Sequence, residues 1–268
     1  MKKSRLSHFV FCLLGVFLFG IFSIGVQADE DQWQEERTDH FSVYYQKTPK
    51  DFAKTVAESA EQYYESITAD LGFTRYKGWS YNNRAKIYIY DSQEKYVQST
   101  NMTHWSHGAA DIRQKVIATF PQDSGFFDTI LPHELGHIIF REFAGEDTDF
   151  PLWLDEGVAC FQEKARRASA QAQVRQAIRE NRFIPLSQLA LMKLDDTTNE
   201  EIVDLYYAES ASAVSFIINQ LDNARFLRFC QKLNEGLTMD SALDSVYLKI
   251  KSLNDLNSAW YDFLLKEE

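Results

Sequence analysis

Two acidic residues inside an apolar stretch set the strongest constraint on how this chain can fold. Pro151-Leu152-Trp153-Leu154-Asp155-Glu156-Gly157-Val158-Ala159 has the composition of a buried helix, and a carboxylate carried into such a place is costly unless it meets a cation. A fitting counterpart lies upstream. In His133-Glu134-Leu135-Gly136-His137 the histidines are four apart, so on a helix they stand one turn apart on one face and can direct ring nitrogens to a single ion. Glu134 falls about 100° round the helix from His133, where a side chain can lean over that ion without binding it. A base that takes a proton from metal-activated water belongs there. The helix must also accept Pro132, which has no backbone N–H; with Asp128 as N-cap, Pro132 falls in the first turn and is tolerated.

Apolar periodicity divides the rest of the chain into two parts. Before Ser124 the pattern mixes strands and helices: His40–Tyr45, Ala85–Tyr90, Ala109–Arg113 and Lys115–Phe120 read as extended. Asp51–Leu71 repeats apolar residues at helical spacing, and Asp91-Ser92 reads as the cap of a short helix through Val97. From residue 124 onward the spacing becomes helical throughout, near 128–143, 152–180 (with a possible break), 199–221, 223–234, 239–249 and 253–266. Gly145, Pro185, Asn199 and Gly236 punctuate these segments. The predicted class is α+β, a small N-terminal mixed sheet with helices (29–123) followed by a mainly helical half (124–268), within one catalytic domain. The histidine motif sits at the junction.

The first residues read as a targeting segment and not as part of the fold. Lys2, Lys3 and Arg5 precede an uncharged apolar run at 9–26, and Val26-Gln27-Ala28 offers a small-residue cleavage site. Residues 1–28 are therefore expected to be a signal peptide, with an uncleaved membrane anchor through 9–26 as the alternative. Either reading places the remainder outside the cell, secreted or tethered to the outer face of the membrane. Acids outnumber bases 39 to 28, which argues against nucleic acid as a partner. Beyond the leader only Cys160 and Cys230 remain; export permits a disulfide, but two buried thiols are the expected state.

The motif, the eighteen residues between His137 and Glu156, and the W-L-D-E-G-x-A segment around Glu156 together resemble the gluzincin metallopeptidases, in particular their peptidase MA-like and aminopeptidase N-like branches. The resemblance runs from about Lys115 to Leu221. It implies a Zn2+ cofactor held by His133, His137 and Glu156, with Glu134 as general base and water in the fourth position. Within Leu205-Tyr206-Tyr207-Ala208-Glu209-Ser210 it implies a tyrosine hydroxyl that stabilises the tetrahedral oxyanion, assigned first to Tyr207 and second to Tyr206. The competing metzincin pattern would need glycine at Phe140 and histidine at Phe143.

Two departures bear on specificity and support. Aminopeptidase N-like enzymes carry G-x-M-x-N, whereas Gly108-Ala109-Ala110-Asp111-Ile112 keeps only the glycine. The position four residues after the third ligand, an orienting aspartate in thermolysin-like enzymes, is Cys160, so the histidines must be supported in another way. Asp155 is expected to face solvent or to support a ligand, since adjacent helical residues diverge by about 100°. The expected function is zinc-dependent hydrolysis of peptide or protein substrates, as an endopeptidase, with an extended substrate added to a sheet edge at Lys115–Phe120. The alternative is a non-catalytic extracellular zinc-binding or membrane-tethered interaction module.

Overall fold

The computed structural model describes residues 33–73, 79, 81–102, 107–122, 125–195 and 197–266. The leader at 1–28, with its run at 9–26, lies outside the described residues, as do His104 and Trp105. Among the described residues no helix is long and apolar enough to cross a membrane.

A five-stranded sheet occupies the N-terminal part, formed by β1 (Gln34–Arg37), β2 (Phe41–Tyr45), β3 (Ala85–Ile89), β4 (Gly108–Asp111) and β5 (Val116–Thr119). Its spatial order is β1-β2-β3-β5-β4. β2, β3 and β5 run parallel, while β1 and β4 close the two sides as antiparallel strands. The parallel step from β2 to β3 requires a crossover, made by α1 (Lys50–Asp70). This helix buries Ala53, Val56, Ala57, Ala60, Tyr64 and Ile67, the face its three-to-four-residue spacing predicts. On the opposite side of the sheet, α2 (Gln93–Thr100) covers a smaller core of Tyr90, Tyr96, Ala109, Val116, Ala118 and Phe120. Alternation along each strand separates these residues from Phe41, Val43, Ile87 and Ile117, which belong to the main core.

Several boundaries differ from the sequence reading. β1 was not anticipated, because Gln-Glu-Glu-Arg carries no β signal; its pairing with β2 creates it. Ser92 caps α2 by accepting from the Lys95 N–H, and the helix continues three residues beyond Val97. Lys115–Phe120 does not form an edge. β5 lies between β3 and β4, and β4 takes the outer position. A tight hairpin causes this: Lys115 turns at φ 51°, and Asp111 accepts from both the backbone N–H and the side-chain amide of Gln114.

The C-terminal half is helical, with α3 (Leu131–Ala144), α4 (Leu152–Gln162), α5 (Lys164–Arg179), α6 (Leu186–Leu189), α7 (Glu200–Leu221), α8 (Asn223–Asn234), α9 (Met239–Val246) and α10 (Leu253–Lys266). α7 is the central column. Its residues from Leu205 to Ile218 are all buried, and it packs against α4, α5 and α8. The Trp260 indole N–H donates to Ser212 Oγ and joins α10 to it. Both Cys160 and Cys230 are buried free thiols.

One acid within this column titrates with folding. Glu209 is fully buried; its Oε1 accepts from the Ile184 N–H at 2.9 Å, which ties the link after α5 to α7. Burial pushes its pKa up from 4.5 to about 8. The folded chain therefore keeps a proton that the unfolded chain releases, so stability falls as pH rises between those two values, by at most about 1.4 kcal/mol per pH unit. Glu209→Gln retains the acceptor for Ile184 and removes the ionisation. In urea unfolding, the midpoint of the variant is expected to rise relative to the parent from pH 5.5 to pH 8; a constant difference would show that Glu209 does not titrate in this window.

Candidate metal centre

The helix that carries the histidines begins in an unusual way. Phe126–Ile130 forms a π-helical turn whose wider ring lets the Leu131 N–H reach the Phe126 carbonyl, and Pro132 follows in the first turn of α3. Asp128 is not the N-cap; Gly125 precedes the turn instead, at φ 81°. π turns of this kind recur at functional sites. α3 is then buried without interruption from Leu131 to Arg141, so its polar residues face protein and not water.

Two glycines let neighbouring helices approach closely enough for their side chains to converge. A Cβ on Gly136 would lie 3.0 Å from Ala159 Cα, so α3 and α4 touch backbone to backbone. A Cβ on Gly157 would lie 2.6 Å from the Ser210 carbonyl oxygen, so α4 presses equally close on α7. Glu156 is thereby carried under the two histidines.

His133, Glu134, His137 and Glu156 are all buried, with 2%, 1%, 7% and 3% of their surface exposed. His133 Nε2 and His137 Nε2 stand 3.1 Å apart, and Glu156 Oε2 is 3.6 Å from the first and 3.8 Å from the second. These ligand atoms lie within 4.8 Å of one another and can hold a metal ion. Fit is also electrostatic. Burial raises the pKa values of Glu134 and Glu156, an effect only partly offset by the two histidines, and Glu134 Oε2 has no hydrogen-bond partner. Burial opposes a charge on His137, but Asp155 and Glu156 outweigh it and lift its pKa to about 9 in the metal-free chain. A divalent cation would meet the charge of both carboxylates and release that proton.

The outer nitrogens of the two rings are each held by a carboxylate backed by an arginine. His137 Nδ1 is 3.4 Å from Asp155 Oδ1, and the Arg141 guanidinium donates to both oxygens of Asp155, at 3.2 and 3.0 Å. Although burial works against ionisation, His137 and Arg141 hold Asp155 down to about 2. His133 Nδ1 is 2.9 Å from Glu163 Oε1, and Arg166 donates to Glu163 Oε2 at 3.3 Å. A proton on each Nδ1, donated outward, leaves each Nε2 lone pair directed at the ion position. Asp155 therefore supports His137, and its expected solvent-facing alternative is excluded by 3% exposure.

Glu163 is the support that the Cys160 position does not supply. It also breaks the long helix: with ψ at 120°, it ends α4 and begins α5. Its sequence signal was its place seven residues after Glu156, two helical turns along the same face. Arg141, four residues after His137, carried the same kind of signal. His133, Cys160 and Glu163 form a second convergent group, but Arg166 already supplies the cation there, and burial keeps the Cys160 thiol protonated.

Tyr206 and Tyr207 both lie on α7 near this centre, and burial, reinforced by Glu156, pushes both hydroxyls up. The Tyr206 hydroxyl is buried without a partner, while Arg166 lies over the Tyr207 ring, 5.6 Å from its centroid. Asp111 and His107 are not part of the cluster. The carboxylate of Asp111 is held by Gln114, and His107 Nδ1 is paired with Gln122 Oε1.

This arrangement agrees with sequence comparison, in which the family model of the peptidase MA superfamily matches residues 69–266, more than half of the chain. The chain belongs to the peptidase MA superfamily, whose members are generally metal-dependent peptidases. No curated protein matches it significantly.

The helix contacts themselves can be tested. Gly157→Ala is expected to destabilise the protein by about 1–3 kcal/mol, because the new methyl must displace the backbone of α7. Chemical denaturation measures this directly, and an unchanged midpoint would show that α4 and α7 have slack between them.

Proposed function

We propose that the protein is an exported zinc endopeptidase whose ligands are His133, His137 and Glu156 and whose general base is Glu134. The observation that carries this reading is the convergence of two imidazole nitrogens and one carboxylate oxygen beside a second buried carboxylate, one oxygen of which has no hydrogen-bond partner. Two nitrogens and one oxygen favour zinc over magnesium or calcium, and a site closed by protein on all sides would have no use for Glu134. Zinc held by His133, His137 and Glu156 would supply Lewis acidity toward the scissile carbonyl and toward water near neutral pH. Glu134 accepts the proton of the attacking water on its unpartnered Oε2 and passes it to the leaving amine. We assign Tyr207 to the oxyanion, with Tyr206 as the alternative donor.

Support for a polypeptide substrate comes from β4. A Cβ on Gly108 would lie 3.2 Å from Glu134 Oε1, so this edge strand passes directly by the proposed base, and an extended peptide laid along it would bring its backbone to the site. β4, and not Lys115–Phe120, is the strand to which this role belongs. The endopeptidase assignment rests on the same strand. A free ammonium group needs acceptors to replace its water, yet the Met and Asn of the aminopeptidase pattern are missing, and Asp111 is committed to Gln114. Export is supported by the layout of residues 1–28, with the anchored form as the alternative.

The full chain or its 29–268 portion is expected to bind about one zinc per molecule, and Glu134→Gln to keep the metal while losing hydrolysis by a factor on the order of 10² or more. Metal analysis together with turnover of an internally quenched peptide checks both; undiminished turnover in the variant would place the base elsewhere. N-terminal acetylation of a peptide substrate is expected to change kcat/KM by less than about tenfold. Stepwise trimming of free-amine peptides, with acetylated ones resistant, would instead identify an aminopeptidase.

A further inference from the structure

Arg166 is nearly enclosed, with 16% of its side chain exposed, and it touches three groups that belong to different parts of the centre. Nε donates to Glu163 Oε2 at 3.3 Å, Nη1 donates to Asp204 Oδ1 at 3.4 Å, and the guanidinium carbon lies over the ring of Tyr207, 5.6 Å from its centroid. Glu163 in turn accepts from His133 Nδ1. Asp204 and Tyr207 are both on α7, three residues apart and so on one face.

The backbone explains how one side chain reaches all three. Glu163 is the single non-helical residue between α4 and α5, and the change of direction there swings the first turn of α5 under Glu163 and against α7. Arg166 stands three residues into that turn, where i to i+3 partners meet. A planar guanidinium can donate along two edges while its face stays on an aromatic ring; an ammonium group is a point charge and cannot do all three.

The second arm of the centre differs. Arg141 grips Asp155 and the Thr148 carbonyl and lies over Phe150, all of them in α3, α4 or the segment between. Its contacts brace the ligand helices against each other, whereas those of Arg166 cross to the helix of the tyrosines.

We propose that Arg166 is a positioning residue that couples the two halves of the site: through Glu163 it orients the metal-facing nitrogen of His133, and through its cation–π contact with Tyr207 and its hold on Asp204 it sets the tyrosine hydroxyl in register with the metal. The inference rests on the zinc peptidase reading, but its first half concerns metal affinity and is independent of hydrolysis.

The test compares Arg166→Met, Arg166→Lys, Glu163→Gln and Tyr207→Phe in the full-length protein. Zinc affinity of the metal-free chain is measured by competition with a chromophoric chelator. Cleavage of an internally quenched peptide is measured at saturating zinc. Arg166→Met is expected to weaken zinc binding by about tenfold to a hundredfold, with no further loss when it is combined with Glu163→Gln, because both act along one chain of contacts. Tyr207→Phe is expected to leave zinc affinity unchanged. At saturating zinc, Arg166→Met is expected to lower kcat with KM within about twofold, and to lower it little further in the Tyr207→Phe background. Arg166→Lys keeps the charge near Glu163 and is expected to recover zinc affinity but not kcat.

Zinc affinity of Arg166→Met within twofold of the parent, or losses that add to those of Glu163→Gln, would overturn the first half. Parental kcat in Arg166→Lys, or kcat losses that add to those of Tyr207→Phe, would overturn the second. Should Arg166→Met fail to fold, Arg166→Gln takes its place for the first half, which zinc affinity within twofold of the parent overturns, and Arg166→Lys decides the second, which unchanged kcat overturns. A parent that binds zinc but cleaves no peptide would refute the peptidase reading while the zinc measurements still decide the role of Arg166 toward His133.

Discussion

Taking a carboxylate out of water costs on the order of several kcal/mol unless its charge is met, and the packing of α3, α4 and α5 brings Glu134, Asp155, Glu156 and Glu163 into the interior together. The fold treats them as two kinds. Asp155 and Glu163 are each held by an arginine on one side and a histidine on the other, so their charge is balanced within the protein. Glu156 faces the two Nε2 atoms instead, its ion pairs among the described residues going only to the histidines, and Glu134 keeps a buried Oε2 without a hydrogen-bond partner. A divalent cation would complete that arrangement. The close helix contacts, the Glu163 break and the placement of α7 all serve to keep these charges at fixed separations.

Close packing is what makes such separations possible. Ring nitrogens 3.1 Å apart tolerate little displacement of the helices that carry them, and a backbone contact is less adjustable than one through side chains. Gly136 and Gly157 place α4 against α3 on one side and α7 on the other. α7 thus receives α4 and α5 along its length and presents Tyr206 and Tyr207 toward Glu156. The sheet contributes from the opposite side, where β4 passes Glu134 at Gly108. The site is assembled between layers and owes its geometry to both.

Most of the helices were legible in the apolar spacing, since a buried face repeats every three to four residues whatever it packs against. α7, α8 and α10 begin and end within a residue of the expected limits. Strand positions were legible too, but their order was not. Neighbours in a sheet are chosen by crossover geometry and by hairpins such as the one Gln114 and Asp111 stabilise, and no local pattern reports which strand ends at the edge. β1 escaped because a short polar edge strand has almost no signature of its own.

The three residues able to hold a metal, and the acid beside them, could be picked out from sequence because their chemistry is compressed into local spacing. Two histidines on one helical turn, an acid between them and an acid in an apolar helix admit few explanations. The supporting residues depend on relations between helices: Arg141 finds Asp155 across α3 and α4, and Arg166 reaches Glu163, Asp204 and Tyr207 only because the chain turns at Glu163. Sequence by itself determined the types of group gathered here and the helices that carry them, since side-chain identity and periodicity are local properties. Tertiary structure decided which groups support which histidine and which strand passes Glu134, because hydrogen bonds and charge balance act over a few ångströms in space between residues far apart in the chain.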